Sequence, residues 1–557
     1  MRLKLLALNL TLSLPVAATA TPPLVTQAPA EIAARMPELM HQTRVPGVAL
    51  AKIERGRVAW TATFGTRAPD EPMTQDTVFN VASLTKPVFA LMTLHLIADG
   101  ELTLDSRLAE YWVDPDIAGD PRRFELTPRI ALSHQTGFRN WRGNSALSFD
   151  FAPGARHEYS GEGFEYLRLA IEHKSGLPMR KQMQETVLKP SGMTATAFGW
   201  EASLAGRIAT GHRANGQPYP TQSLQNRGPN AAANMLTTIG DYARFTAWVA
   251  RGADLPASLF TQMQQAQALH PQPAEHFGLG WRLTRVSGNT VLSHDGREAG
   301  VRTQVFVVPA TGEGLVILTS SDNGELLTRP LVEIVLADGR ALMAAVDRQV
   351  WTFLQRMPVE QVSNVAQTLS STPAFMSRLL YAANAALVQT AESTPEDRRA
   401  AEAAIDTLVS AMLEGRLSQE QPRDLVALLL AESAKGTVWR SSFTPVQRQA
   451  WIAALVERKE GRATRAAVEV PEAHLLRYAG DYRMPSSQLL ISVRKVDTGL
   501  QATAEGMPVI ALHAQSQTTF FMREDDTLFE FVSGNDEVTG LRVIWSGGRS
   551  EVAPRVE

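Results

Sequence analysis

Two changes of texture along the chain constrain its fold more than any single motif. Residues 48–53 and 58–64 are β-rich runs separated by Glu54-Arg55-Gly56-Arg57, a hairpin pattern. A second β-rich block, at 281–285, 290–294, 303–308 and 315–320, is followed by a helical run over 327–337. Between the blocks the sequence is mostly helical or irregular. Ahead of them, residues 30–41 place Ile32, Met36 and Met40 on one stripe, with Pro37 as a possible kink. Strands at both ends and helices between predict one α+β domain whose sheet joins its two ends. From about 347 to 457, Ala, Leu, Gln, Glu and Arg dominate, and stripes such as Ile405, Leu408, Val409 and Met412 predict an all-helical segment. That segment carries no clustered chemistry and reads as a packing spacer. A charged stretch at 460–465 then leads to short β-rich runs at 488–494, 500–504, 519–522, 528–532 and 541–545, spaced by turn residues. A small antiparallel barrel or sandwich is the expected end.

Composition narrows the chemistry. At 557 residues the chain has room for three to four domains of about 150 residues each. Its 54 basic and 57 acidic residues sum to -3, which gives no excess of positive charge for nucleic acid. Cysteine is absent, which excludes disulfides, thiolate metal sites, cysteine nucleophiles and lipid attachment through cysteine. Arg2, Lys4, an apolar run over 5–18 and Ala18-Thr19-Ala20 predict a cleavable export signal over residues 1–20. That run is broken by Asn9 and is too short to anchor, so stable membrane insertion is not expected after cleavage. The expected compartment is the periplasm or the exterior.

Neither a G-x-S-x-G elbow nor an H-E-x-x-H helix occurs, but S-x-x-K occurs twice. In the copy at Ser492 and Lys495, predicted as strand, an offset of three puts the side chains on opposite faces. The copy at Ser83-Leu84-Thr85-Lys86 opens a helical run through Val88, Leu91, Met92 and Ile97 that stops at Asp99-Gly100. There an offset of three is about one turn, which stacks Ser83 and Lys86 on one face. Pro87 is tolerated in a first turn, where no N–H partner is lost. A serine hydroxyl becomes nucleophilic only when a base takes its proton, and a lysine serves only if its pKa is lowered. A helix N-terminus adds positive potential where an oxyanion would form.

Five stretches in order now carry a resemblance. They are 79–87 around Ser83, with Leu102-Thr103-Leu104-Asp105 after it; Leu132-Ser133-His134-Gln135-Thr136-Gly137; Phe151-Ala152-Pro153-Gly154 with Tyr159-Ser160; Gly278-Leu279-Gly280-Trp281; and Ser293-His294-Asp295-Gly296. Together they resemble the serine β-lactamase and penicillin-binding-protein-like hydrolases, in the class C β-lactamase, esterase and D-aminopeptidase branch, over roughly residues 30 to 345. The resemblance implies a β-lactamase-like antiparallel sheet with helices. It also implies Ser83 as acylated nucleophile, Lys86 as its proton partner and Tyr159 as second general acid/base. His294 would bind substrate or aid proton transfer, and Gly296 would let substrate approach the strand. The backbone N–H groups of Ser83 and Arg297 would form the oxyanion hole. His134 is expected to be a structural loop histidine, and Asp105 and Asp241 turn or cap residues. No metal or cofactor is implied.

One position departs from the pattern. Gly161 stands where the family carries Asn after Tyr-Ser, so the side-chain amide that would hold a substrate carbonyl is missing. The expectation is therefore an exported serine hydrolase of an ester or amide, such as a D-amino-acid peptide, with weak or absent β-lactamase activity. The alternatives are an acylated sensor without turnover and a true class C-type β-lactamase. The expected partner is a small-molecule or peptide substrate; the oligomeric state is open. Leu475, Tyr478, Gly480 and Tyr482 resemble the L-x-x-Y-x-G-x-Y opening of small lipocalin-like domains. The expected division is signal 1–20, hydrolase 21–346, helical segment 347–465 and barrel 466–557.

Overall fold

The computed structural model describes residues 25–143, 145–219, 228–267, 276–356, 377, 378, 381 and 467–556, apart from barrel loops at 486–488, 498, 505–508, 523–526, 535–536 and 545–549. The expected signal over 1–20 and the stripe at Ile405 to Met412 lie outside the described residues.

The predicted hairpin is present as β1 (Gly47–Glu54) and β2 (Arg57–Ala68), which continue to β3 (Glu71–Pro72). Arg55 (φ 50°) and Gly56 (φ 69°) take the left-handed region that a tight two-residue hairpin turn requires. The second block forms β7 (His276–Phe277), β8 (Arg282–Val286), β9 (Asn289–Glu298), β10 (Val301–Val308) and β11 (Glu313–Thr319). These strands form one 8-stranded sheet in the order β3-β2-β1-β11-β10-β9-β8-β7. β1 pairs antiparallel with β11, Val48 opposite Thr319, so the sheet does join the two ends.

β1 is apolar in nearly every position because both of its faces are covered. Ala49, Ala51 and Ile53 pack into the core that holds the helix Thr85–Ala98 and the helix Ile239–Ala250. Val48 and Leu50 pack on the other face with Ile32 and Met36 of the helix Ala30–Thr43, and with Leu331 and Leu342. Leu50 is fully buried, so Leu50→Ala should cost about 2–5 kcal/mol. The helix Gly339–Arg356 runs through the expected junction at 346/347. Its Asp347 pairs with Arg329 at 2.6 Å.

A second, 3-stranded sheet has the order β4-β6-β5, with β4 (Val78–Asn80), β5 (Ala197–Phe198) and β6 (Met235–Thr238). Asp241 lies in the first turn of its helix, and Thr238 supplies the cap by accepting from Asp241 N–H. Asp105 forms a two-pronged ion pair with Arg129 at 2.8 and 2.9 Å.

The C-terminal strands close into a barrel, β12 to β19 in sequence order: Gly480–Arg483, Leu490–Val496, Gly499–Ala504, Ile510–Ala514, Thr519–Phe521, Leu528–Gly534, Glu537–Ile544 and Ser550–Val556. β12, β15 and β19 are additional to the runs picked out in the sequence; β19 carries Pro554 and β12 is only four residues long. Tyr482 is buried and its hydroxyl donates to Tyr478 O at 2.7 Å, while the Tyr478 ring stacks on Phe531 at 4.3 Å. The two motif tyrosines thus pin the barrel's opening segment to its interior.

Candidate active site

The Ser83 turn is built by β4. After Asn80 the chain turns sharply at Ala82, whose φ of 47° is a left-handed value costly for a residue with a Cβ. Asn80 holds that turn: its Oδ1 accepts from Ala82 N–H at 2.9 Å and its Nδ2 donates to Glu298 at 2.9 Å. The turn is a 3-10 segment, Ala82–Leu84, that runs into the helix Thr85–Ala98. Ser83 therefore sits at a helix N-terminus and is half-buried.

Lys86 has no exposed surface and its Nζ lies 3.2 Å from Ser83 Oγ, so the one-turn spacing has the expected result. The ammonium also donates to Ala232 O at 2.9 Å. Burial lowers the Lys86 pKa to about 7, with Asp295, Glu165 and Glu298 opposing the shift. At neutral pH a large share of Lys86 is thus a free amine, able to take a proton. Aromatic rings enclose it: Tyr159 at 4.7 Å, Phe164 at 5.6 Å and Trp141 at 6.0 Å.

Tyr159 stands just before the helix Gly161–Ser175, which Ser160 caps by accepting from Gly163 N–H at 3.0 Å. Its phenol hydrogen-bonds Ser83, and burial raises its pKa above the ordinary value despite that bond. It is therefore a neutral phenol at pH 7, fit to relay a proton and unfit to be a standing phenolate base. His134 is buried behind it, rings 4.3 Å apart, and accepts from Ser160 N–H at 3.1 Å. Burial and the neighbouring His157 and Lys86 hold His134 well below its ordinary pKa. It braces the Tyr159 loop through backbone.

His294 lies across the cleft, its ring 6.1 Å from that of Tyr159. Burial drives its pKa to about 3, so it stays neutral. Its Nδ1 lies 2.9 Å from Asp295 O, and a carbonyl only accepts, so Nδ1 carries the proton. Nε2 is then a bare acceptor, buried and without a hydrogen-bond partner among the described residues. Burial alone would raise the Asp295 carboxyl, but Arg297 and Arg282 hold it well below its ordinary value, at 3.0 and 2.7 Å.

β9 extends four residues beyond the predicted run. Asp295, Gly296 and Arg297 pair with Gln304, Thr303 and Arg302 of β10, although Asp-Gly reads locally as a turn. Gly296 is tightly enclosed by the chain itself. A Cβ there would lie 2.2 Å from Thr303 Oγ1 and 2.3 Å from Val81 O, so glycine admits the chain's own nucleophile turn against the strand. Ser83 N is 3.3 Å from the same point, so the backbone of the nucleophile turn lies against the strand at Gly296, the residue before Arg297.

Several contributors had no motif to announce them. Ala232 supplies a carbonyl, and Glu165 holds that loop by accepting from Ala231 N–H at 2.6 Å. Arg378, from the segment read as a spacer, comes within 3.7 Å of Glu325, which also pairs with Arg297 at 2.8 Å. Trp141 was legible as a tryptophan just beyond the Leu132 to Gly137 landmark, between Asn140 and Arg142.

Comparison with known proteins gives the family. A family model described as Beta-lactamase matches residues 32–337. The chain belongs to the β-lactamase family. It is a serine hydrolase of that family, whose other members include penicillin-binding proteins and esterases. Penicillin-binding protein 4 of Amycolatopsis lactamdurans is 24% identical over 318 residues, covering 51% of this chain and 84% of that protein. Esterase EstB of Burkholderia gladioli is 27% identical over 229 residues, covering 35% of this chain and 57% of the esterase. Among solved structures, a class C β-lactamase matches with TM-score 0.46 at 18% identity, over 53% of this chain and 92% of that one. Among the described residues no helix is long and apolar enough to cross a membrane.

Proposed function

We propose that the protein hydrolyses an ester or amide through an acyl-enzyme on Ser83. Neutral Lys86 takes the Ser83 proton as Oγ bonds to the substrate carbonyl carbon. The oxyanion that forms is met by the Ser83 and Arg297 N–H groups. The bond from carbon to the leaving group then breaks, and the proton passes from Lys86 through Tyr159 to that group. Water repeats the sequence in reverse: it loses a proton to the same relay, bonds to the acyl carbon and expels Oγ, which is reprotonated. His294 Nε2 accepts a hydrogen bond from substrate or from the incoming water. The observation that carries this reading is the buried Lys86 amine 3.2 Å from Ser83 Oγ, with its pKa lowered to about 7.

Gly161 in place of the amide side chain supports weak or absent β-lactamase activity, with an ester or a D-amino-acid peptide as the better substrate. Export after removal of residues 1–20 and a lipocalin-like role for the barrel belong to the same proposal, as does the four-part division of the chain. Nitrophenyl ester turnover that disappears in Ser83→Ala, beside negligible nitrocefin hydrolysis, is the expected outcome. Rapid nitrocefin turnover would return the protein to the β-lactamases proper. Labelling of Ser83 without release would make it an acylated sensor.

A further inference from the structure

Gly161 is the first residue of its helix, a position where most residues fit, and its φ lies outside the left-handed region. The demand for glycine comes from space. A Cβ at 161 would lie 2.6 Å from Cη2 and from Cζ2 of Trp141, so the indole occupies the volume that a side chain here would fill. Trp141 is 46% exposed, one of the few large apolar residues left open to solvent among the described residues.

Its backbone is nevertheless fixed from both sides. Asn140 accepts from Gly161 N–H through Oδ1 at 2.9 Å and through its carbonyl at 3.0 Å. Arg142 is held by Asp114 at 2.7 Å, Asp116 at 3.2 Å and Glu162 at 3.0 Å. A half-open indole on a pinned backbone beside a catalytic centre is the form that binding anchors take, since little backbone freedom is lost when a ligand covers it. Trp141 faces Lys86 at 6.0 Å and closes on Gly161, on the flank of the Ser83 and Lys86 pair.

We propose that Trp141 is the specificity-determining residue of the Ser83 site, its indole forming with Gly161 an apolar wall that selects esters with a flat or bulky apolar acyl group. This rests on the acyl-enzyme reading of Ser83. An acyl chain that offers a peptide amide finds no partner on such a wall and loses hydrogen bonds on burial. An aryl or branched alkyl acyl group stacks there and excludes water.

The test compares kcat/KM for nitrophenyl phenylacetate and nitrophenyl acetate, which share a leaving group, in the full-length protein. The wild type should favour the phenylacetate. In Trp141→Ala that ratio should fall about tenfold, and Trp141→Phe should keep most of it. Gly161→Ala, which displaces the ring, should lower the ratio in the wild type and leave it unchanged in the Trp141→Ala background. Circular dichroism melting of each variant separates loss of fold from loss of selectivity. A ratio that moves less than about twofold in Trp141→Ala, with esters still turned over, overturns the Trp141 assignment alone. If no ester is hydrolysed and Ser83 takes no label, the acyl-enzyme reading falls and this inference falls with it.

Discussion

The tetrapeptide S-x-x-K occurs in two regions and does two different things. At Ser83 it opens a helix, and one turn brings Lys86 Nζ to 3.2 Å from the hydroxyl, inside a shell of aromatic rings. At Ser492 it lies in β13, where the side chains alternate between faces. Ser492 there hydrogen-bonds Asp481, and Lys495 pairs with the exposed Glu472 at 2.8 Å. The same letters give a close pair around a buried lysine in one backbone and two unrelated surface contacts in the other. Secondary structure sets the distance between the pair, and burial sets the lysine's pKa. Neither is contained in the motif.

The largest expected effect comes from destroying the helical pair. Lys86→Ala should lower kcat/KM for a nitrophenyl ester by about a thousandfold, measured in steady state. Retention of more than a tenth of the activity would remove lysine from the proton path. Tyr159→Phe keeps the ring that covers Lys86 and removes only the relay, so a loss of about a hundredfold is expected. A Lys86 pKa near 7 makes the amine competent above that pH and protonated below it. The rate should accordingly fall about tenfold per pH unit below 7 and level off above it; a flat profile from pH 5 to 9 contradicts this. Trp141→Ala opens Lys86 to water, which raises its pKa, so the same step should move to higher pH. The smallest effect should come from the strand copy: Ser492→Ala and Lys495→Ala should each leave turnover within about twofold, as surface substitutions do.

Where local pattern and tertiary environment agree, the fold was legible. The Arg55-Gly56 turn, the apolar β1 and the helix from Thr85 to Ala98 each follow from nearest neighbours in sequence. So did the approach of Ser83 to Lys86, because one helical turn is a local distance. The length of β9 was not legible, since Asp295-Gly296 reads as a turn until β10 pairs with it. That Val81 and Thr303 close on Gly296 was not legible, since both approach it from distant parts of the chain. The Ala232 carbonyl and the Glu165 carboxylate reach Lys86 only through tertiary packing. The Gly161 departure was plain in the sequence. That an indole fills the space it leaves could be seen only once the 139–142 loop was laid beside the helix.

Acylation at one serine is the claim on which the rest depends. It is tested most directly by intact-mass measurement after incubation with a fluorophosphonate probe. The account predicts one adduct per chain, mapped to Ser83 and absent in Ser83→Ala, with slower labelling in Lys86→Ala. An adduct on another residue, or none on Ser83 in a folded protein, would contradict it.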